Sequence, residues 1–293
     1  MVKTLDYKVA AIFILIGSIL FGFSYIISVI GFENGLTPFE LITGRMFIAS
    51  AVLNLVFFKK IDLGNKPELI AGAVIGLFMF GILAFQVMGL QHTTPSISAF
   101  VSSTYVVIIP FIHWAYYKQA PDRYSNIGAI LTIVGVGFIS LNEELYISIG
   151  IILTLICAIF GAFQIFATEV YSKKFDPVNL TIIMLNTCFL IGFVAMMGVR
   201  VYSGQPSLIF APVNMGILLV SGVMATIIPF LLQNIGQKYI SATKASLMMS
   251  TEAIFGTLFS IIIFNETLNM KMIIGCLLII FAIVIAETKL KFN

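Results

Sequence analysis

The chain has 293 residues, of which 60% are apolar and 10% charged, and its mean hydropathy is strongly positive. A soluble domain carries about 45–50% apolar and about 25% charged residues, so a water-soluble globular fold is excluded. The net charge of +3 is too small an excess to point to nucleic acid.

Apolar runs of about 20 residues match the thickness of a bilayer. Ten such runs follow one another at 9–30, 38–58, 68–89, 96–116, 124–142, 147–170, 178–200, 212–235, 242–264 and 270–288. The first is too long for the apolar core of a signal peptide and lacks a small-residue cleavage site, so it reads as a retained span. In the third, Gly72-x-x-x-Gly76 has the small-residue spacing of a close helix contact within one chain. Pro110 in the fourth run and Pro229 in the eighth break helical hydrogen bonds, and each is a candidate hinge or a static kink. His92 falls between runs and His113 near the end of the fourth, where each reads as an interfacial residue. Cys157, Cys188 and Cys276 all lie inside runs without paired spacing, which suggests neither a disulfide framework nor a metal site. The expectation is an all-α integral membrane protein of ten helices.

Lysine and arginine accumulate in cytoplasmic loops. With the N-terminus inside, the inner segments hold Lys3, Lys8, Lys59, Lys60, Lys66, Lys118, Arg123, Lys173, Lys174, Lys238, Lys244, Lys289 and Lys291. The outer segments hold only Arg200 and Lys271, and Arg45 lies within a span. One span more or fewer would scramble this bias, so ten spans with both termini cytoplasmic are expected. Outer loops such as Asn142-Glu143-Glu144 leave no room for an external domain.

The halves repeat. Phe21-Gly22 and Phe160-Gly161 are 139 residues apart, as are Pro38 and Pro177. Gln91 and Ala99 match Gln237 and Ala245 at 146, and Gly128 matches Gly275 at 147. Two repeats, 1–143 and 144–293, then hold five spans each. Five is odd, so the second repeat enters the membrane in the opposite sense. Inverted repeats of this kind characterise secondary transporters, whose substrate site lies near the midplane between the halves.

Residues 38–53, PFELITGRMFIASAVL, place an arginine seven residues after a proline, followed by small residues. GAILTIVGVGFIS (128–140) and GCLLIIFAIVIA (275–286) are glycine-led apolar stretches, and MSTEAIFGTLFSIIIFNE (249–266) sets Glu252 fourteen residues before Glu266. Together these resemble the second, fifth, tenth and ninth spans of the EamA-type permeases of the drug/metabolite transporter superfamily. Ala253 and Asn265 stand where that family usually has Pro and Gly. The resemblance covers the whole chain and implies a ten-helix carrier of small organic solutes such as amino acids or amines. It further implies transport often by export, and often by proton coupling or exchange.

An unpaired buried carboxylate costs several kcal/mol unless it is protonated or partnered. Glu252 lies about 12 Å along the helix from Lys244, near the midplane. It reads as a cavity-facing group that holds a proton or a substrate cation, or as a helix-locking group. Arg45, roughly 10 Å in from Pro38, either clasps a substrate carboxylate or pairs with a fixed acid such as Glu252. Tyr25, Gln86, Ser102, Ser103, Thr104 and Tyr105 can line the same pocket. Tyr105 occupies nearly the repeat position of Glu252. Gln164, Asn186, Gln233 and Asn234 form a second polar group that reads mainly as glue between helices, and Glu169 and Lys173 have the spacing of a helical ion pair.

Clustered His, Asp or Cys nucleophiles, G-x-S-x-G and H-E-x-x-H are absent, which argues against an enzyme. No phosphate-binding loop for ATP is present, and no cofactor or metal is expected. The partners implied are a small-molecule solute, the lipid bilayer and protons, with the protein a monomer or a homodimer. A prokaryotic plasma membrane is the expected location. A flippase for lipids or lipid-linked sugars remains the alternative.

Overall fold

The computed structural model describes residues 6–58, 64–118, 120, 123–140, 148–203 and 209–288. Lys3, Lys59, Lys60, Lys289, Lys291 and the Asn142-Glu143-Glu144 loop lie outside them. Among the described residues the chain is helical with no strand.

Helices α1 (Tyr7–Glu33), α2 (Pro38–Val56) and α3 (Lys66–Leu90) are followed by a pair, α4 (Pro95–Ser102) and α5 (Tyr105–Tyr117), and then by α6 (Arg123–Ser140). The rest comprises α7 (Ile149–Ser172), α8 (Pro177–Ser203), α9 (Pro212–Gly222), α10 (Ile228–Gln237), α11 (Ala242–Met249), α12 (Thr251–Phe264) and α13 (Met270–Thr288). Eight elements are long and apolar enough to cross a membrane, with α4–α5, α9–α10 and α11–α12 each counting as one. The stretches expected at 124–142 and 270–288 contain the shorter apolar segments Asn126–Phe138 and Met270–Ala282.

The starts of these helices are written in the sequence. Proline occupies the first turn of α2, α3, α4 and α9, where its missing N–H costs nothing. Thr37 and Glu40 form a reciprocal capping box at α2, so Glu40 is spent on the cap and not on Arg45. Thr94 and Asn65 cap α4 and α3 with their side chains.

The spans expected at 96–116, 212–235 and 242–264 are not continuous helices. Between α4 and α5 the chain tightens at Ser103 and Thr104, and between α11 and α12 it tightens at Ser250. The cause is local: short hydroxyl side chains compete for helical carbonyls. Ser102 and Ser103 both donate to the Ala99 carbonyl (3.0 and 2.8 Å), and Thr104 donates to that of Val101 (2.7 Å). Ser250 and Thr251 donate to the carbonyls of Leu247 and Met248, both at 2.7 Å. Between α9 and α10, residues Val223–Ile227 widen into a turn in which Ile228 N–H reaches Val223 O. Pro229 follows directly in the first turn of α10, whereas Pro110 sits inside α5.

Helix α2 packs on α8, α6 on α13, and α3 on both α7 and α8, while α1 packs on α10 and α12 and α7 on α4 and α5. The Gly72/Gly76 spacing works inside the chain as expected: a Cβ on Gly76 would lie 2.6 Å from the Met184 carbonyl oxygen of α8. Gly22 brings α1 equally close to α12, since its Cβ would meet Gly256 N at 2.8 Å and Glu252 O at 3.0 Å. These crossings enclose the central space in which the candidate site lies.

Candidate functional site

A cavity lies between α1, α3, α4, α5, α7, α10, α11 and α12. Four of the expected residues, Tyr25, Gln86, Tyr105 and Glu252, line it together with Ser102. Phe21 and Phe230, an edge-to-face pair with centroids 4.8 Å apart, supply part of its apolar wall.

Glu252 sits in the first turn of α12 and is 7% exposed. It makes no ion pair with any described residue. Its polar neighbour is Tyr105, which opens α5 and brings its buried hydroxyl to the carboxylate. The Tyr25 hydroxyl lies 2.6 Å from Ser102 Oγ. Ser102 spends its own proton on the Ala99 carbonyl, so Tyr25 is the donor of that pair.

Arg45 is placed differently from the expectation that it contacts substrate. Its side chain is 1% exposed and does not line the cavity. Nη1 donates to Ser24 Oγ at 3.2 Å, and Nε has no partner. Ser24 is itself a lining residue, so the guanidinium stands behind the wall that α1 makes. Neither Glu40 nor Glu252 forms an ion pair with it.

One end of the cavity meets a ladder of amides. Gln237 Nε2 donates to the Ile165 carbonyl at 3.0 Å, which fixes Gln237 Oε1 as an acceptor. Gln233 Nε2 donates to that oxygen at 2.9 Å and to Gln164 Oε1 at 3.1 Å. Gln233 Oε1 is left buried and unpaired. Gln164 and Gln233 thus hold helices together, as expected, and also line the cavity. Asn234 donates to Thr181 Oγ1 at 2.8 Å, and Asn186 forms a reciprocal amide pair with Asn54 at 2.9 and 3.2 Å.

Two carboxylates fasten the cavity's surroundings. Glu169 accepts from Lys173 at 2.6 Å, as its spacing suggests, and also caps α11 through Ala242 N–H at 2.9 Å. His113 Nε2 lies 3.4 Å from it, a placement that the interfacial reading did not contain. Glu266 accepts from Ser96 Oγ at 2.7 Å, from Ser96 N–H at 3.4 Å, and from Ser260 Oγ. It reaches them because Asn265 ends α12 with φ 52°, a left-handed conformation that asparagine tolerates nearly as glycine does. Asn265 can stand in place of glycine for that reason.

A helical bundle with, among the described residues, eight membrane-length elements around a central, partly polar cavity defines a multi-pass membrane protein. The chain belongs to the EamA-like transporter family, whose sequence pattern matches residues 8–141 and again 148–288. An uncharacterized transporter from Archaeoglobus fulgidus is 30% identical over 263 residues, 87% of this chain and 79% of that one. The uncharacterized transporter YoaV from Bacillus subtilis is 23% identical over 272 residues, 89% of this chain and 91% of its own. One solved crystal structure at 16% identity superposes with a TM-score of 0.68, covering 96% of this chain and 98% of its own, and it shares the fold.

Proposed function

We propose that the protein is a secondary active transporter that moves a small organic solute by alternating access, with Glu252 coupling transport to a proton or exchanging the proton for the solute. The observation that carries the reading is the Glu252 carboxylate, buried at the central cavity with no cationic partner among the described residues. The titratable groups that share the lining with it are Tyr25 of α1, Tyr105 of α5 and Cys157 of α7. A group in that position holds a proton when the site is empty and a cationic solute when it is filled.

Ten spans in two inverted repeats, 1–143 and 144–293, complete the reading. Its support is the packing, which is unchanged when the halves are exchanged. Contacts of α1 with α12 become those of α7 with α5, those of α3 with α7 become those of α10 with α1, and α2–α8 and α6–α13 map onto themselves. The double match to the family pattern has the same period. Lysine and arginine place both termini in the cytoplasm, and a prokaryotic plasma membrane is the proposed location. Pro110 and the wide turn before Pro229 are the proposed points of bending.

Proteoliposomes holding the purified protein test this. Uptake driven by a pH gradient is expected from the wild type and is lost in Glu252→Gln, while the variant keeps its elution profile and melting temperature. Wild-type uptake with an unchanged pH profile in that variant would overturn the assignment of Glu252.

A further inference from the structure

Resting on the transport reading of the same cavity, we propose that its substrate is a small organic cation, a protonated amine carrying an apolar body, and not a zwitterion or an anion. The charge inventory of the lining carries this. Glu252 is its one carboxylate, and no lysine, arginine or histidine lines the cavity. Arg45 is the sole Arg or Lys in the membrane-spanning stretches apart from those at their ends. It is held behind Ser24, so a substrate carboxylate finds no cation in the cavity.

The unpaired polar atoms point the same way. Gln233 Oε1 is an acceptor whose orientation is forced by the Gln237–Ile165 anchor. Tyr25 Oη donates to Ser102, so its proton is not available to a substrate. When ionised, Glu252 is an acceptor and not a donor. An ammonium group has three N–H donors and no acceptor, and so suits these acceptors. The rings of Phe21 and Phe230 line the wall, and aromatic faces favour cations over neutral or anionic groups.

The test uses four probes with one ring and different charges: phenethylamine, phenylalanine, 3-phenylpropionate and 2-phenylethanol. Binding to the purified full-length protein is read by calorimetry, and movement by counterflow in proteoliposomes. The amine is expected to bind at least tenfold more tightly than the other three. Glu252→Gln is expected to remove that preference while leaving the weak binding of the alcohol unchanged. Because the four-probe ranking is read on the wild type, it holds even if the variant fails to fold. A preference for phenylalanine would mean that Arg45 reaches the cavity, and would overturn the proposal. Equal binding of all four, or of none, would also overturn it. Counterflow separates the two readings: transport of a non-cation leaves the carrier and sinks the cation, whereas tight amine binding without movement leaves the cation site and sinks the carrier.

Discussion

The breaks at Ser103–Thr104 and at Ser250 solve the same problem with the same parts. In each, hydroxyl side chains turn back onto the carbonyls of the preceding turn, and a new helix starts at the cavity wall. The new helix α5 opens with Tyr105, and α12 places Glu252 in its first turn. The backbone device is duplicated and the chemistry is not: one side offers a neutral hydroxyl, the other an ionisable carboxylate. A repeated scaffold can thus build the cavity, while one unmatched residue gives it charge.

Removing the polar group from each side in turn separates the two roles. Glu252→Gln removes a charge-assisted contact worth about 2–3 kcal/mol, so substrate affinity should fall about a hundredfold. Tyr105→Phe removes only a neutral hydroxyl and should change affinity by less than about fivefold, or under about 1 kcal/mol. Titration calorimetry on both variants reads the difference.

A glycine pair offers the next largest contrast. Gly22 and Gly161 are related by the 139-residue repeat, and each lies against the span carrying one of the two cavity groups. A Cβ on Gly22 would strike backbone atoms at 2.8 and 3.0 Å, so Gly22→Ala should destabilise by about 1–3 kcal/mol. On Gly161 the nearest atom is a Tyr105 ring carbon at 3.5 Å, an ordinary contact. Gly161→Ala should therefore stabilise α7 by roughly 0.5–1 kcal/mol. Thermal melts in detergent should move in opposite directions.

Smaller effects are expected at the helix ends. Asn265→Val forces a branched side chain into a left-handed conformation and should cost about 1–2 kcal/mol, while Asn265→Gly should be close to neutral in the same melt. Arg45→Met should alter stability but leave ligand affinity at its wild-type level, because Arg45 does not line the cavity.

Much of this was legible in the sequence, and the part that was not has a physical cause. Apolar run lengths placed the helices to within a few residues, because a bilayer demands them. Depth along a helix was also readable, which put Glu252, Tyr105, Tyr25 and Gln86 at the level of the cavity. Rotation about the helix was not. In a protein whose helices are apolar on nearly every face, no stripe marks the inward side. Arg45 was therefore placed at the right depth but given the wrong neighbours, and Ser24 and Phe21 went unnoticed as lining residues. Glu169 read as half of an i,i+4 pair, which it is, but its cap on α11 joins positions 73 apart and leaves no local trace. The serine clusters at 102–104 and 250–251 did carry a signal, since hydroxyl runs inside an apolar span compete with its backbone.

In alternating access the cavity opens in turn to both sides of the membrane, and Cys157 is placed to report it. It lines the cavity, whereas Cys188 and Cys276 do not. Reconstituted wild-type protein would be treated with a membrane-impermeant methanethiosulfonate from one face or the other, and the modified cysteine located by mass spectrometry. Cys157 is expected to be modified from either face and Cys188 from neither. Modification of Cys157 from one face only, or from neither, would rule out alternating access through this cavity.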